Sequence, residues 1–136
     1  MSGIRTFLVV AAAVVLLCAC ESMKTAGGMI KKIPFEVGPA EQKLASGIKS
    51  YEDGDYKGSQ AALQAALDMG LSGRTDQVVA RKYLAFIDCV SGREKQCREE
   101  FRRALEIDPS FDLKPEEAGH PLWGPVFRNV KEKPAK

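Results

Sequence analysis

One histidine, one tryptophan and four cysteines stand among 136 residues, and each scarcity closes a class of chemistry. His120 has no second imidazole to share a zinc ion, and the spacing of Cys89 and Cys97 fits no usual zinc pattern. The same histidine, between Gly119 and Pro121, has no nucleophile beside it in sequence, and Ser91 and Ser110 stand in no recognisable catalytic motif. A glycine-rich phosphate loop is missing. Twenty basic residues against 18 acidic ones give a net charge of +2, and no Lys/Arg block is interleaved with aromatics, which argues against nucleic acid as a partner. Adjacent carboxylates at Glu99-Glu100 and Glu116-Glu117 diverge on a helix and read as solvated surface. The expectation is a protein without catalytic residues, metal or cofactor. It is not an enzyme on this reading.

What is present begins at the N-terminus. Arg5 precedes an eleven-residue apolar run, Phe7 to Leu17, which ends in Leu17-Cys18-Ala19-Cys20. The run falls short of the ~20 residues that a membrane-spanning helix requires. A basic start, a short apolar stretch and a small residue before the cut make a secretory signal over residues 1–19. With cysteine directly after, the pattern resembles a bacterial lipobox. That resemblance implies a diacylglycerol on the Cys20 thiol, removal of residues 1–19 and acylation of the freed amine. Cys20 is preferred because small Ala19 precedes it, whereas bulky Leu17 precedes Cys18. Glu21, in place of Asp, points by resemblance to enterobacterial lipoproteins to the outer membrane, with the domain on its periplasmic face. Three acyl chains would hold it there permanently, where a single myristoyl chain binds only marginally. The alternatives are an ordinary secretory signal or an uncleaved anchor.

Residues 20–38 then read as the lipidated cysteine and a flexible tether, with Gly27-Gly28, Lys31-Lys32 and Pro34 and no sustained period. Ile30, Ile33, Phe35 and Val37 are apolar exceptions within it. From Pro39 the pattern becomes helical. Leu44, Ala45, Ile48 and Tyr51 recur at helical spacing, Gly54 breaks the run and Asp55 caps the next. A second helix carries Ala62, Leu63, Ala66 and Leu67. Thr75 or Asp76 is placed to cap a third, Gln77 to Val90, and a fourth runs from Glu94 to Ile107 with Cys97, Phe101, Ala104 and Leu105 inward.

Two hairpins in series invite alignment. Gly54 falls on Gly92 at an offset of 38 residues. Gly47 then meets Ala85, Ser59 meets Cys97, Leu63 meets Phe101, and Pro109 closes the second unit. Small residues at the helix crossing, a large one toward the next hairpin and a terminal proline resemble two tetratricopeptide repeats, whose period is 34. The four extra residues are expected in the Leu71–Gln77 connector. The fold expected is all-α: two repeat-like hairpins over residues 39–110, then a cap and tail over 111–136. Pro115-Glu116-Glu117 starts a short helix, and Pro121 and Pro125 limit it. Trp123 and Phe127 read either as a cap over the open apolar end or as an anchor for a partner.

In such repeats the first helices line a concave face. The matching positions here include Tyr51, Lys82 and Phe86, which with Trp123 are the candidate partner-binding residues. Cys89 and Cys97 flank the turn at Gly92, and an antiparallel hairpin brings such positions together, so a disulfide is expected in an oxidising periplasm. Two buried free thiols are the alternative.

Lipobox, tether, paired cysteines and the stretch Ala104-Leu105-Glu106-Ile107-Asp108-Pro109-Ser110-Phe111-Asp112-Leu113, leading to Gly119-His120-Pro121-Leu122-Trp123-Gly124-Pro125, together resemble the small lipoproteins of bacterial type VI secretion, the TssQ family. The resemblance implies an accessory, protein-binding role near the envelope-spanning complex, with envelope proteins as partners. A tetratricopeptide lipoprotein that assists outer-membrane or pilus secretin assembly is the second reading. A small periplasmic hydrolase or peptidoglycan-binding protein using His120 and Trp123 is the third.

Overall fold

The computed structural model describes residues 36–133, which belong to one unit, Glu36–Lys136. The signal segment, Cys20 and most of the tether lie outside the described residues. The described residues form six helices and no strand: α1 (Pro39–Glu52), α2 (Tyr56–Met69), α3 (Arg74–Val90), α4 (Glu94–Ile107), α5 (Pro115–Ala118) and α6 (Gly124–Glu132). Pro39 opens α1 without losing a hydrogen bond, since the first N–H groups of a helix have no partner within it. The Asp55 carboxylate accepts from the Gly58 N–H at 2.9 Å and starts α2.

The two hairpin turns repeat bond for bond at an offset of 38. In the first, Asp53, Gly54 and Asp55 donate to Lys49, Tyr51 and Ser50; in the second, Ser91, Gly92 and Arg93 donate to Ile87, Cys89 and Asp88. Gly54 and Gly92 adopt φ of 81° and 74°, a region costly for any residue with a Cβ. The interiors match as well. Ser59 and Cys97, Leu63 and Phe101, and Ala66 and Ala104 are all 0% exposed.

The crossings are locked by different chemistry. In the first hairpin a Cβ at Gly47 would lie 2.8 Å from Leu63 Cγ and Cδ2, so the helices meet where only glycine fits. There Ser59 Oγ donates to the Gly47 carbonyl at 2.7 Å. In the second, the Cys89 and Cys97 sulfurs are 2.00 Å apart with Cα atoms separated by 5.2 Å, the spacing of a disulfide.

Helix α3 is central and packs on α1, α2 and α4. It starts at Arg74 rather than at the expected Gln77, so three of the four extra residues form helix instead of loop. The backbone bond from Gln77 to Gly73 (3.0 Å), the Gln77 side chain on the Leu71 carbonyl (2.8 Å) and buried Leu71 stabilise this added turn. Asp76 lies in that first turn, favoured by the helix dipole, and is not a cap. Arg74 uses the position to bond the Ile107 carbonyl at the end of α4. Ala45, an apolar position of the helical pattern, faces solvent, as does Met69 at the end of α2.

Two apolar clusters share the interior. One centres on Leu44, Leu63, Leu84 and Ile87, the other on Phe86, Phe101, Trp123 and Phe127. Tyr51 and Tyr83 pack against both. Helix α6 lies on α4 through Phe127, whose ring meets Phe101 edge-on at 5.1 Å and Phe111 at 5.5 Å. It closes the apolar end that α3 and α4 would otherwise leave open, turning Arg128 and Asn129 outward.

Candidate functional site

Phe86, near the end of α3, is the floor of the site. The Trp123 indole stacks on it with centroids 4.2 Å apart and planes 19° apart, and the His120 imidazole stacks on the same indole. Two contacts hold this arrangement. Trp123 Nε1 donates to the Glu117 carbonyl at 2.8 Å, and Lys82 Nζ donates to Glu117 Oε1 at 2.6 Å. The Lys82 ammonium also lies 4.7 Å from the Tyr83 ring centre and 5.5 Å from that of Phe86, within reach of the attraction between a cation and an aromatic face. Lys82 is 8% exposed and the Glu117 side chain 16%. So little water reaches the pair that breaking it would leave a charge with poor solvation.

The four sequence-derived candidates meet in this cluster. Tyr51 lies 6.3 Å from Phe86, which carries Trp123 on its face and Lys82 beside it. Their availability differs sharply. Lys82, Phe86 and Trp123 are buried, taken up by the chain's own segment from Pro115 to Trp123, while Tyr51 is half-buried. The residues expected to form a cap and those expected to bind a partner belong to one cluster. His120 Nδ1 accepts from the Leu122 N–H at 3.2 Å.

Sequence reasoning missed two acidic residues. Glu117, read as solvated, latches α5 onto α3; Glu100, likewise read, accepts from Arg81 at 2.9 Å with its side chain only 12% exposed. Their partners are 35 and 19 residues away, beyond any local signal. Tyr83 was also missed. Its ring stands 5.0 Å from Tyr51 at 67°, and Tyr56, 41% exposed, lies 5.4 Å from Tyr51 at 43°. Burial first, and then the neighbouring Tyr56, Tyr83 and Glu117, push the Tyr51 hydroxyl up to about 12. Burial also raises Tyr83, with Glu117 and Glu52 adding to the effect.

Against protein-family models, curated proteins and solved structures, the chain matches none.

An open groove of about 870 Å³ on another face involves α4 and α6, with Arg93, Arg98, Arg103 and Asn129 among its walls. Its arginines are already paired: Arg98 with Glu94 at 2.6 Å, Arg103 with Glu100 at 3.2 Å and Arg93 with buried Asp88 at 2.7 Å, while Lys95 and Lys133 on its walls make no ion pair among the described residues. Exposed pairs along one helix contribute only ~0.3–0.5 kcal/mol each. Arg93 has a structural task as well, since it bonds Gln60 of α2 at 3.1 Å and so joins the two hairpins. Among the described residues no three His, Cys, Asp or Glu side chains are placed to hold a metal ion. The tyrosine cluster is a half-open aromatic surface whose hydroxyls feel the charges of Glu52 and Glu117.

Proposed function

We propose that this chain is an outer-membrane-anchored periplasmic lipoprotein whose two tetratricopeptide-type hairpins form a protein-binding scaffold accessory to type VI secretion. The observation that carries the scaffold reading is the bond-for-bond identity of the turns at Gly54 and Gly92, joined to the matching small residues at Gly47/Ala85 and Ser59/Cys97. A repeated hairpin of this kind places successive first helices side by side, and here α1 and α3 present Tyr51 and Tyr83 together. The anchor rests on Leu17-Cys18-Ala19-Cys20, and the secretion role on a resemblance of nearly the whole chain to TssQ-type lipoproteins. A cysteine pair at bonding distance suits an oxidising compartment.

The anchor is tested by metabolic acyl labelling of the wild type and a Cys20→Ser variant, with fractionation of the envelope. Label on the wild type alone, in the outer membrane, is expected; label retained on the serine variant would remove the assignment. The scaffold is tested by placing a photo-crosslinking residue at position 83 in cells that carry the secretion machine. A crosslink to one of its envelope components is expected. A crosslink to an outer-membrane or pilus secretin assembly component instead would favour the second lipoprotein role, and none at all would sink the scaffold reading.

A further inference from the structure

We infer that the half-exposed aromatic face made by Tyr51 of α1, Tyr56 of α2 and Tyr83 of α3 receives a lysine or arginine side chain from an extended partner segment. This rests on the scaffold reading and gives the partner a chemistry.

The three rings are set at angles to one another, Tyr56 and Tyr83 each close to Tyr51 at 43° and 67°. Such an arrangement offers aromatic faces on more than one side of an incoming group. Tyr56 is 41% exposed and Tyr51 and Tyr83 are half-buried, so solvent reaches this face. Aromatic faces alone would accept many apolar groups. The charges around them choose among these.

Glu52 ends α1 beside Tyr51, is exposed, makes no ion pair among the described residues, and its charge reaches the Tyr83 hydroxyl. Of its acidic neighbours in the turn, Asp53 is paired with Lys49 at 2.9 Å and Asp55 is committed to capping α2. At the deep end, Glu117 is neutralised by Lys82. Lys57, next to Tyr56, is likewise exposed and makes no ion pair among the described residues. With Lys49 and Lys57 set against Glu52, Asp53 and Asp55, the turn beside the tyrosines still carries a net charge of −1, which disfavours phosphates and carboxylates and attracts a cation. The molecule already shows this preference internally, because the Lys82 ammonium sits over Tyr83 and beside Phe86. That ammonium fills the inner end of the aromatic row and leaves the outer end, at Tyr51 and Tyr56, for a second. Tyrosine-lined grooves also suit proline-containing extended segments, whose conformation is largely set before binding. A basic, proline-containing segment meets all of these features.

The test uses the full chain in a neutral detergent and fluorescence anisotropy with three fluorescein-labelled decapeptides: alternating Pro-Lys, Pro-Glu and Pro-Ser. Binding of the Pro-Lys peptide at least tenfold tighter than the other two is expected. The exposed substitutions Tyr56→Ala and Glu52→Gln should each weaken it about three- to fivefold, the span of an exposed cation–aromatic or charge contact. The glutamine variant should also flatten its salt dependence. Equal binding of all three peptides, no binding of the Pro-Lys peptide, or Pro-Lys binding unmoved by both substitutions with the helical signal intact would overturn the inference. A crosslink from position 83 obtained together with any of those results would leave the scaffold standing and remove only the preference for cations.

Discussion

The two hairpins share one backbone register and hold it by opposite means. In the first, α1 and α2 come so close that Gly47 has no room for a Cβ, and a hydroxyl, Ser59, bonds across the gap. In the second, alanine replaces that glycine, and a sulfur pair bridges α3 to α4 where the first hairpin has Tyr51 and Ser59. The difference follows from position. Helix α3 is covered on several sides, whereas α1 has a solvent face along Gln42, Lys43, Ser46 and Lys49. Tyr51, which stands where the second hairpin has Cys89, is thereby left at the surface of the tyrosine cluster instead of inside a cross-link. One geometry gives a sealed half and a half that presents side chains.

Removing the bridge should have the largest effect on this contrast. The Cys89→Ala/Cys97→Ser variant places in the second hairpin the serine that the first already uses. It should lose about 2–3 kcal/mol, the lower part of the range for a disulfide that closes a short loop, measured by urea unfolding of oxidised wild type against variant. Thiol titration of the denatured protein taken from the periplasm is the companion measurement. Two free thiols without reductant would show that the second hairpin stands without its bridge and would erase the contrast.

The next effect is smaller and carries a sign that propensity alone would get wrong. Alanine is a better helix former than glycine by roughly 1 kcal/mol, yet Gly47→Ala should destabilise the fold by about 1–2 kcal/mol. Its Cβ would meet Leu63 Cγ and Cδ2 at 2.8 Å and the Leu63 backbone nitrogen at 3.1 Å, and relieving that overlap costs more than propensity returns. Thermal and urea unfolding check it. A stabilised Gly47→Ala would mean that the first crossing is looser than the second.

The smallest effect is alkaline. Tyr51 is raised from the ordinary tyrosine value to about 12, mainly by burial, so the folded state holds its proton where the unfolded chain has released it. The stability it contributes is fully present below pH 10 and is lost as the pH rises from 10 to about 12. Because the side chain is half exposed, the loss is discounted to about 1 kcal/mol. Tyr51→Phe should remove that part of the alkaline decline, read by urea unfolding at pH 9 and 11. An unchanged slope would place Tyr51 in water and weaken the picture of a half-buried presenting face.

Much of this architecture was legible locally. Pro39, Asp55 and the glycines at 54 and 92 mark helix boundaries by chemistry that acts within a few residues, and the 38-residue alignment paired positions that the fold buries alike. The start of α3 was not legible. Thr75 and Asp76 are as suited to capping as to a first turn, and the choice fell to Leu71, Gln77 and Arg74 finding partners elsewhere in the fold. The site was legible in its members but not in its state. A helical period and an aromatic tail single out Tyr51, Lys82, Phe86 and Trp123. That the tail folds back, so that Trp123 lies on Phe86 and Glu117 reaches Lys82, involves residues 35 or more apart.

Sequence alone therefore determined the four main helices apart from the start of α3, the small residues at their crossings and the turns that bring the two cysteines near each other, because caps, turns and small-residue spacings are decided by neighbours along the chain. Only the tertiary structure decided which half of the aromatic row is sealed and which is open. That choice depends on where one short acidic helix comes to rest, and the free energy of a buried charge pair and a stacked ring exists only once distant segments have met.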